Sequence, residues 1–366
     1  MSDIFSPGSG DNPVTSRSGW KTGGFTLALT LAVLFAIYGA WWSIAATQVK
    51  LGLDLVLGQL AAQGGEYGYG TVRKAGFPFS VRVEVASPFI KSRRWEWRVE
   101  KLNVSAKPWS IEQINLDLSG NHEGVAVLGG HVETYTFVAE RLKSKFTIDD
   151  EISNPRNKLI SGPKRVRLQA LESQGAGLSL RLLGRRQTFS LGDFNLEMDQ
   201  GRKDIMDWGV RLRDLRIPQE IRAPLGPRLQ HLDIKGQLVG ELSGESLITA
   251  LSSWRDRGGK LNVKMLDASY PPLRITGTGS LTLDSDLQPA GEITTRSRGV
   301  METVDALVHA GLIRNLDSVA TKLALMAFSK TPDGGGERYL DLPLTLESHT
   351  LFAGPFKILR LRPIQW

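Results

Sequence analysis

Hydrophobic and polar positions divide this chain into two regimes. From Phe25 to Ala46 the sequence FTLALTLAVLFAIYGAWWSIAA holds no charged residue. At 1.5 Å rise per residue it makes a helix of about 33 Å, enough to cross a hydrocarbon core of roughly 30 Å. From Gly70 onward the apolar residues recur with period two. Val81, Val83 and Val85 alternate with Arg82 and Glu84, and Trp95, Trp97 and Val99 alternate with Glu96, Arg98 and Glu100. Leu102, Val104 and Ala106 continue with opposite parity, which predicts a bulge near Lys101. Leu178, Leu180 and Leu182, then Leu261, Val263 and Met265, then Leu281 and Leu283, and finally Leu342, Leu344 and Leu346 repeat the pattern. Alternation of this kind marks strands with one face buried and one face wet.

The predicted architecture is therefore mainly β with a few helices (α+β). One or more long, curved antiparallel sheets follow a single N-terminal transmembrane helix. Residues 1–24 read as a disordered cytoplasmic tail, 25–46 as the span, 47–64 as a juxtamembrane helix, and 65–366 as a β-rich periplasmic body. The stretch 47–64 fits an amphipathic helix imperfectly and continues the span. Helices are predicted from Ser246 to Arg255 and from about Met301 to Phe328, the second broken near Gly311 and capped again at Asn315. Its expected faces are Val304, Leu307 and Val308, then Leu316, Val319 and Leu323. A basic, loop-like segment from Arg141 to Arg167 is the expected boundary between two sheet regions.

A cleaved signal peptide and a buried core helix also pass the length test for the first segment. The run exceeds the usual 7–15 residues of a signal core, and bulky Trp41 and Trp42 precede a poor cleavage site at Ile44-Ala45-Ala46. Tyr38, Trp41 and Trp42 instead suit an interfacial aromatic belt. Arg17 and Lys21 before the span, against Lys50 after it, favour a cytoplasmic N-terminus and an exported body at the inner membrane.

Composition adds little chemistry. The chain has 366 residues, a formal charge of +7 and no cysteine. Residues 1–46 carry two acids and two bases, so the excess charge lies in the body. A basic body beside a membrane can meet anionic headgroups. No nucleic-acid-binding module is present. His122, His131, His231, His309 and His349 are too scattered for a local zinc motif, and neither a nucleophile elbow nor a phosphate-binding loop occurs. Gly65, Gly68 and Gly70 precede a strand, not a helix, and read as a turn. Asp149, Asp150 and Glu151 read as a solvated acidic loop. No catalytic residue, metal or cofactor is expected. Phe77, Phe79, Phe89, Trp95, Trp97 and Trp109 gather within a short stretch. They suit either a filled core or an apolar groove for a lipid chain.

Gly76-Phe77-Pro78-Phe79, Ala106-Lys107-Pro108-Trp109, Leu340-Asp341-Leu342-Pro343-Leu344-Thr345-Leu346 and Gly354-Pro355-Phe356 are more specific. With the N-terminal anchor they resemble a bacterial envelope family, domain of unknown function 2125, over residues 25–366. The layout also resembles the AsmA-like envelope proteins, which have one anchor, a long β-rich periplasmic part and proposed roles in phospholipid transport. Location, basic charge and long amphipathic strands that can form an apolar trough point to a non-enzymatic envelope protein that binds or shields lipid, or supports envelope integrity, with phospholipid or another envelope lipid, the inner membrane and envelope proteins as partners. A scaffold with a filled core and, behind it, an envelope hydrolase are the alternatives.

Overall fold

The structure is a computed structural model that describes residues 19–61, 65–92, 95–128, 131–148, 168–202, 204–221, 223–244, 246–311, 325–326, 329–331, 336–354, 356–364 and 366. It opens on one helix, α1 (Gly19–Ala61), which runs through the apolar segment and most of the stretch after it. Eight short strands follow: β1 (Glu66–Gly68), β2 (Val72–Ala75), β3 (Val81–Ala86), β4 (Phe89–Lys91), β5 (Trp95–Val99), β6 (Lys101–Lys107), β7 (Ser110–Asp117) and β8 (Gly120–Leu128). Then come long strands: β9 (His131–Ile148), β10 (Leu168–Leu182), β11 (Gln187–Arg202), β12 (Ile205–Arg216), β13 (Arg228–Val239), β14 (Lys260–Tyr270), β15 (Leu273–Leu283) and β16 (Pro289–Arg298). β17 (Ser329–Lys330), β18 (Tyr339–Glu347), β19 (Thr350–Ala353) and β20 (Phe356–Arg360) close the chain, with α2 (Leu247–Asp256) and α3 (Val300–His309) between strands.

All strand pairs are antiparallel and form one sheet, as the alternation predicts. From β9 to β16 each strand pairs with the next, and β18, β19 and β20 extend that order from β16. The sheet forks at β9. One half of β9 pairs with β8, which leads to β5, β4 and β1, and the other half pairs with β7, which leads to β6, β3 and β2.

Two expectations are corrected. No bulge stands at Lys101. Glu100 separates β5 from β6, and the two strands pair with different partners, so the parity change marks a step to another part of the fork. Nor is 141–148 a loop. Leu142, Ser144 and Phe146 alternate with Arg141, Lys143 and Lys145, and these residues are the second half of β9. Residues 149–167, and the predicted helical positions Asn315, Leu316, Val319 and Leu323, lie outside the described residues.

The step at Glu100 belongs to a crease that crosses the sheet. Ser87, Glu100, Ser119, Glu140, Gly177, Gly192, Asp214 and Gln230 stand along it. Ser87, Gly177 and Asp214 take left-handed backbone angles, with φ of 47°, 58° and 54°. Within β10, the buried positions are Ser173 and Gly175 before the crease and Leu178 after it, a spacing of three where a flat strand would have two. The hydroxyl of Ser119 accepts the backbone N–H of Leu142 at 2.9 Å, which satisfies a donor that the interrupted ladder leaves open.

Among the described residues two clusters gather buried apolar side chains. In the first, Ala45, Ala46 and Val49 of α1 pack on Val81, Val83, Val85, Leu102, Val104 and Ala106. The two alanines let the helix axis approach the sheet closely. At the far end Val304 of α3 packs with Leu325 and Leu340. α2 is held by a Ser246–Thr249 capping box and by Trp254, whose indole N–H donates to the carbonyl of Val239 at 2.9 Å.

Candidate functional site

The cross-strand register aligns inward side chains into rows. One row runs Val83, Val104, Leu116, Ser144, Ser173, Leu196, Val210, Ile234, Leu266, Gly277, Thr295 and Leu342. A parallel row from Val81 passes through Phe146, Leu171, Met198, Trp208, Val263 and Ile293 to Leu344. Neither row contains a charge. Twelve strands at about 4.8 Å spacing make the face roughly 50 Å long.

Its cover changes along its length. Under α1, Val81, Val83 and Val85 are 0% exposed. In the middle, Leu196, Val210, Leu212, Ile234 and Leu266 are only half-buried, while their outward neighbours Arg211, Lys235 and Lys264 are exposed. A sandwich core would seal such residues on both sides. At the far end α3 covers Leu340 and Leu342. Gly236 makes room in the middle section. A Cβ there would stand 2.8 Å from the Trp208 ring and 2.1 Å from the carbonyl oxygen of Asn262. Among the described residues the indole N–H of Trp208 has no hydrogen-bond partner.

The opposite face is polar. Arg82, Glu84, Asp117, Lys143, Lys145 and Glu172 line a groove of about 650 Å³ in which charges of both signs alternate. Lys101 pairs with Glu84 at 3.8 Å and Lys143 with Asp117 at 3.9 Å. Exposed pairs of this kind contribute little. Among the described residues no group of three or more His, Asp or Glu side chains converges as metal ligands.

The six aromatic candidates fall into two places. Phe77 and Phe79 lie on the β2–β3 turn, which packs on α1, and Trp109 lies on the β6–β7 turn. Phe77 meets Phe35, Tyr38 and Trp42 with ring centroids 5.3, 5.9 and 5.6 Å apart. Phe89, Trp95 and Trp97 lie on β4 and β5. Trp97 donates its indole N–H to Nδ1 of His122 at 3.2 Å, Phe89 sits under the Arg98 guanidinium at 5.2 Å, and Trp95 is exposed. The long apolar rows, which no local cluster announces, come from strands far apart in sequence.

His122 is 2% exposed. Burial pushes its imidazole below the ordinary value, partly opposed by the Nε2 contact of 2.7 Å to the carbonyl of Leu118. With Nδ1 accepting from Trp97, the ring is neutral and Nε2 carries the hydrogen.

The quoted motifs sit at the places that hold the architecture together. Gly76–Phe79 forms the turn that packs on α1, Lys107–Trp109 forms the turn next to it at the same end of the sheet, and Leu340–Leu346 lies in the strand that ends the apolar rows. A family model described as an uncharacterized protein conserved in bacteria, domain of unknown function 2125 (DUF2125), matches residues 42–362. The chain belongs to this family. The match begins at Trp42, an α1 residue that bonds to the 76–80 turn, so the DUF2125 region includes the packing of Ala45, Ala46 and Val49 on the sheet and leaves most of the apolar run outside. No curated protein and no solved structure matches the chain. A relation to the AsmA-like proteins is not among these findings.

Proposed function

We propose that this DUF2125 protein is a non-enzymatic, inner-membrane-anchored envelope protein whose sheet shields lipid acyl chains, with its N-terminus cytoplasmic and its body periplasmic. The observation that carries this reading is the continuous apolar face. It begins against the helix that continues the candidate span, and it stays half-buried for most of its length. An acyl chain gains from leaving water at about 0.8 kcal/mol per methylene, and the strip sets no charge against it. Leu31–Gly52 is apolar and long enough to cross a bilayer. Its side chains at Leu34 and Ile37 are exposed, as lipid-facing residues are, and Ala45, Ala46 and Val49 are built into the body, so cleavage as a signal would strip the core cluster.

The test is lipid retention by the purified full chain, read by native mass spectrometry and solvent extraction, beside Leu212→Glu, which puts a charge in the middle of the face. Phospholipid held by the parent protein and lost from the folded variant is the expected result. Equal lipid in both overturns the reading and favours a scaffold.

A further inference from the structure

We propose that the β2–β3 and β6–β7 turns form a second membrane contact, a wedge that enters the outer interface of the bilayer beside α1. This rests on the reading that α1 crosses the membrane.

The chain leaves α1 and then runs back along it. Tyr69 donates its hydroxyl to Asp54 at 2.8 Å, Lys74 its ammonium to Thr47 at 3.0 Å, Trp42 its indole N–H to the carbonyl of Ser80 at 2.8 Å, and Tyr38 its hydroxyl to the carbonyl of Pro78 at 2.5 Å. As numbers rise from 69 to 78 in the returning segment, the helix partners fall from 54 to 38, a retreat of about 24 Å along the axis. The turn therefore ends level with Tyr38, Trp41 and Trp42, the aromatic belt, and Phe77 reaches past them to Phe35.

Two aromatic tips stand free there. Phe79 is 77% exposed and Trp109 is 63% exposed. Val81 pairs with Ala106, so the two turns lie side by side at one end of the sheet. Their neighbours Lys74, Arg82 and Lys107 are exposed bases. Aromatic tips below and basic side chains above match hydrocarbon under anionic headgroups. If α1 spans the bilayer, its contact with Phe77 puts these tips at membrane depth. They would then seat the start of the apolar face against the lipid.

The absence of cysteine makes the test simple. Single-cysteine full-length chains, Leu34→Cys on the helix, Phe79→Cys on the turn and Leu183→Cys on the distant β10–β11 turn, are labelled with an environment-sensitive dye. They are reconstituted in phosphatidylethanolamine–phosphatidylglycerol vesicles containing spin-labelled lipid. The proposal expects blue-shifted emission and strong quenching at positions 34 and 79, and neither at 183. Quenching at 34 without quenching at 79 overturns the wedge and leaves the anchor standing. No quenching at 34 overturns the anchor and the wedge with it.

Discussion

Trp97 and His122 are stacked, with ring centroids 5.8 Å apart, and the indole N–H points at Nδ1 of the imidazole. Protonating His122 would turn that acceptor into a donor facing another donor, inside a buried pair. The folded state therefore holds fewer protons than the unfolded chain. The stability tied to His122 is full above the unfolded value of about 6.5 and is lost as pH falls from there through the lowered folded value. The thermal midpoint of the full chain should fall between about pH 7.5 and about pH 5, and His122→Asn should flatten that slope while lowering the midpoint throughout. An unchanged slope would remove His122 from the account.

The two sections of the apolar face should respond differently to truncation. Val83 is 0% exposed under α1, and Val83→Ala should cost about 2 kcal/mol through lost transfer energy and a cavity. Leu212 loses more atoms on truncation but is half-buried, so Leu212→Ala should cost only about 1 kcal/mol. Denaturant midpoints of the two variants give the comparison. A larger loss at Leu212 would mean that the middle of the face is a sealed core.

Gly177 stands on the crease with φ of 58°, and a Cβ there would lie 2.3 Å from Cδ of Glu140. The Glu140 side chain can move, but the backbone angle remains unfavourable for other L-residues. Gly177→Ala should cost about 1–2 kcal/mol, and Gly177→Asn less, because asparagine tolerates the left-handed region better. Equal stability of all three proteins by denaturant titration would show that the crease does not depend on this angle.

Much of the fold was legible in the pattern of residues. Val81-Val83-Val85 and Leu178-Leu180-Leu182 announce strands because side chains alternate with period two, and the charge-free run announces the helix. The parity change at Lys101 was visible too, but its meaning was not. A crease and a bulge leave the same local mark, and only the pairing of β5 with β8 and of β6 with β7 tells them apart. The same limit applied to the candidate site. Phe77 and Trp97 look equivalent in a list of aromatics, yet one packs on α1 and the other on a histidine. Val210 and Ile234 become neighbours through register, which no single strand encodes.

The central claim is that lipid lies on the apolar face of the long strands. Photo-crosslinking in cells tests it most directly, with a benzoylphenylalanine placed at Leu212 on that face or at its exposed neighbour Arg211 on the other. The account predicts phospholipid adducts at position 212 and none at 211. Adducts at neither position, or only to protein at 212, would contradict it.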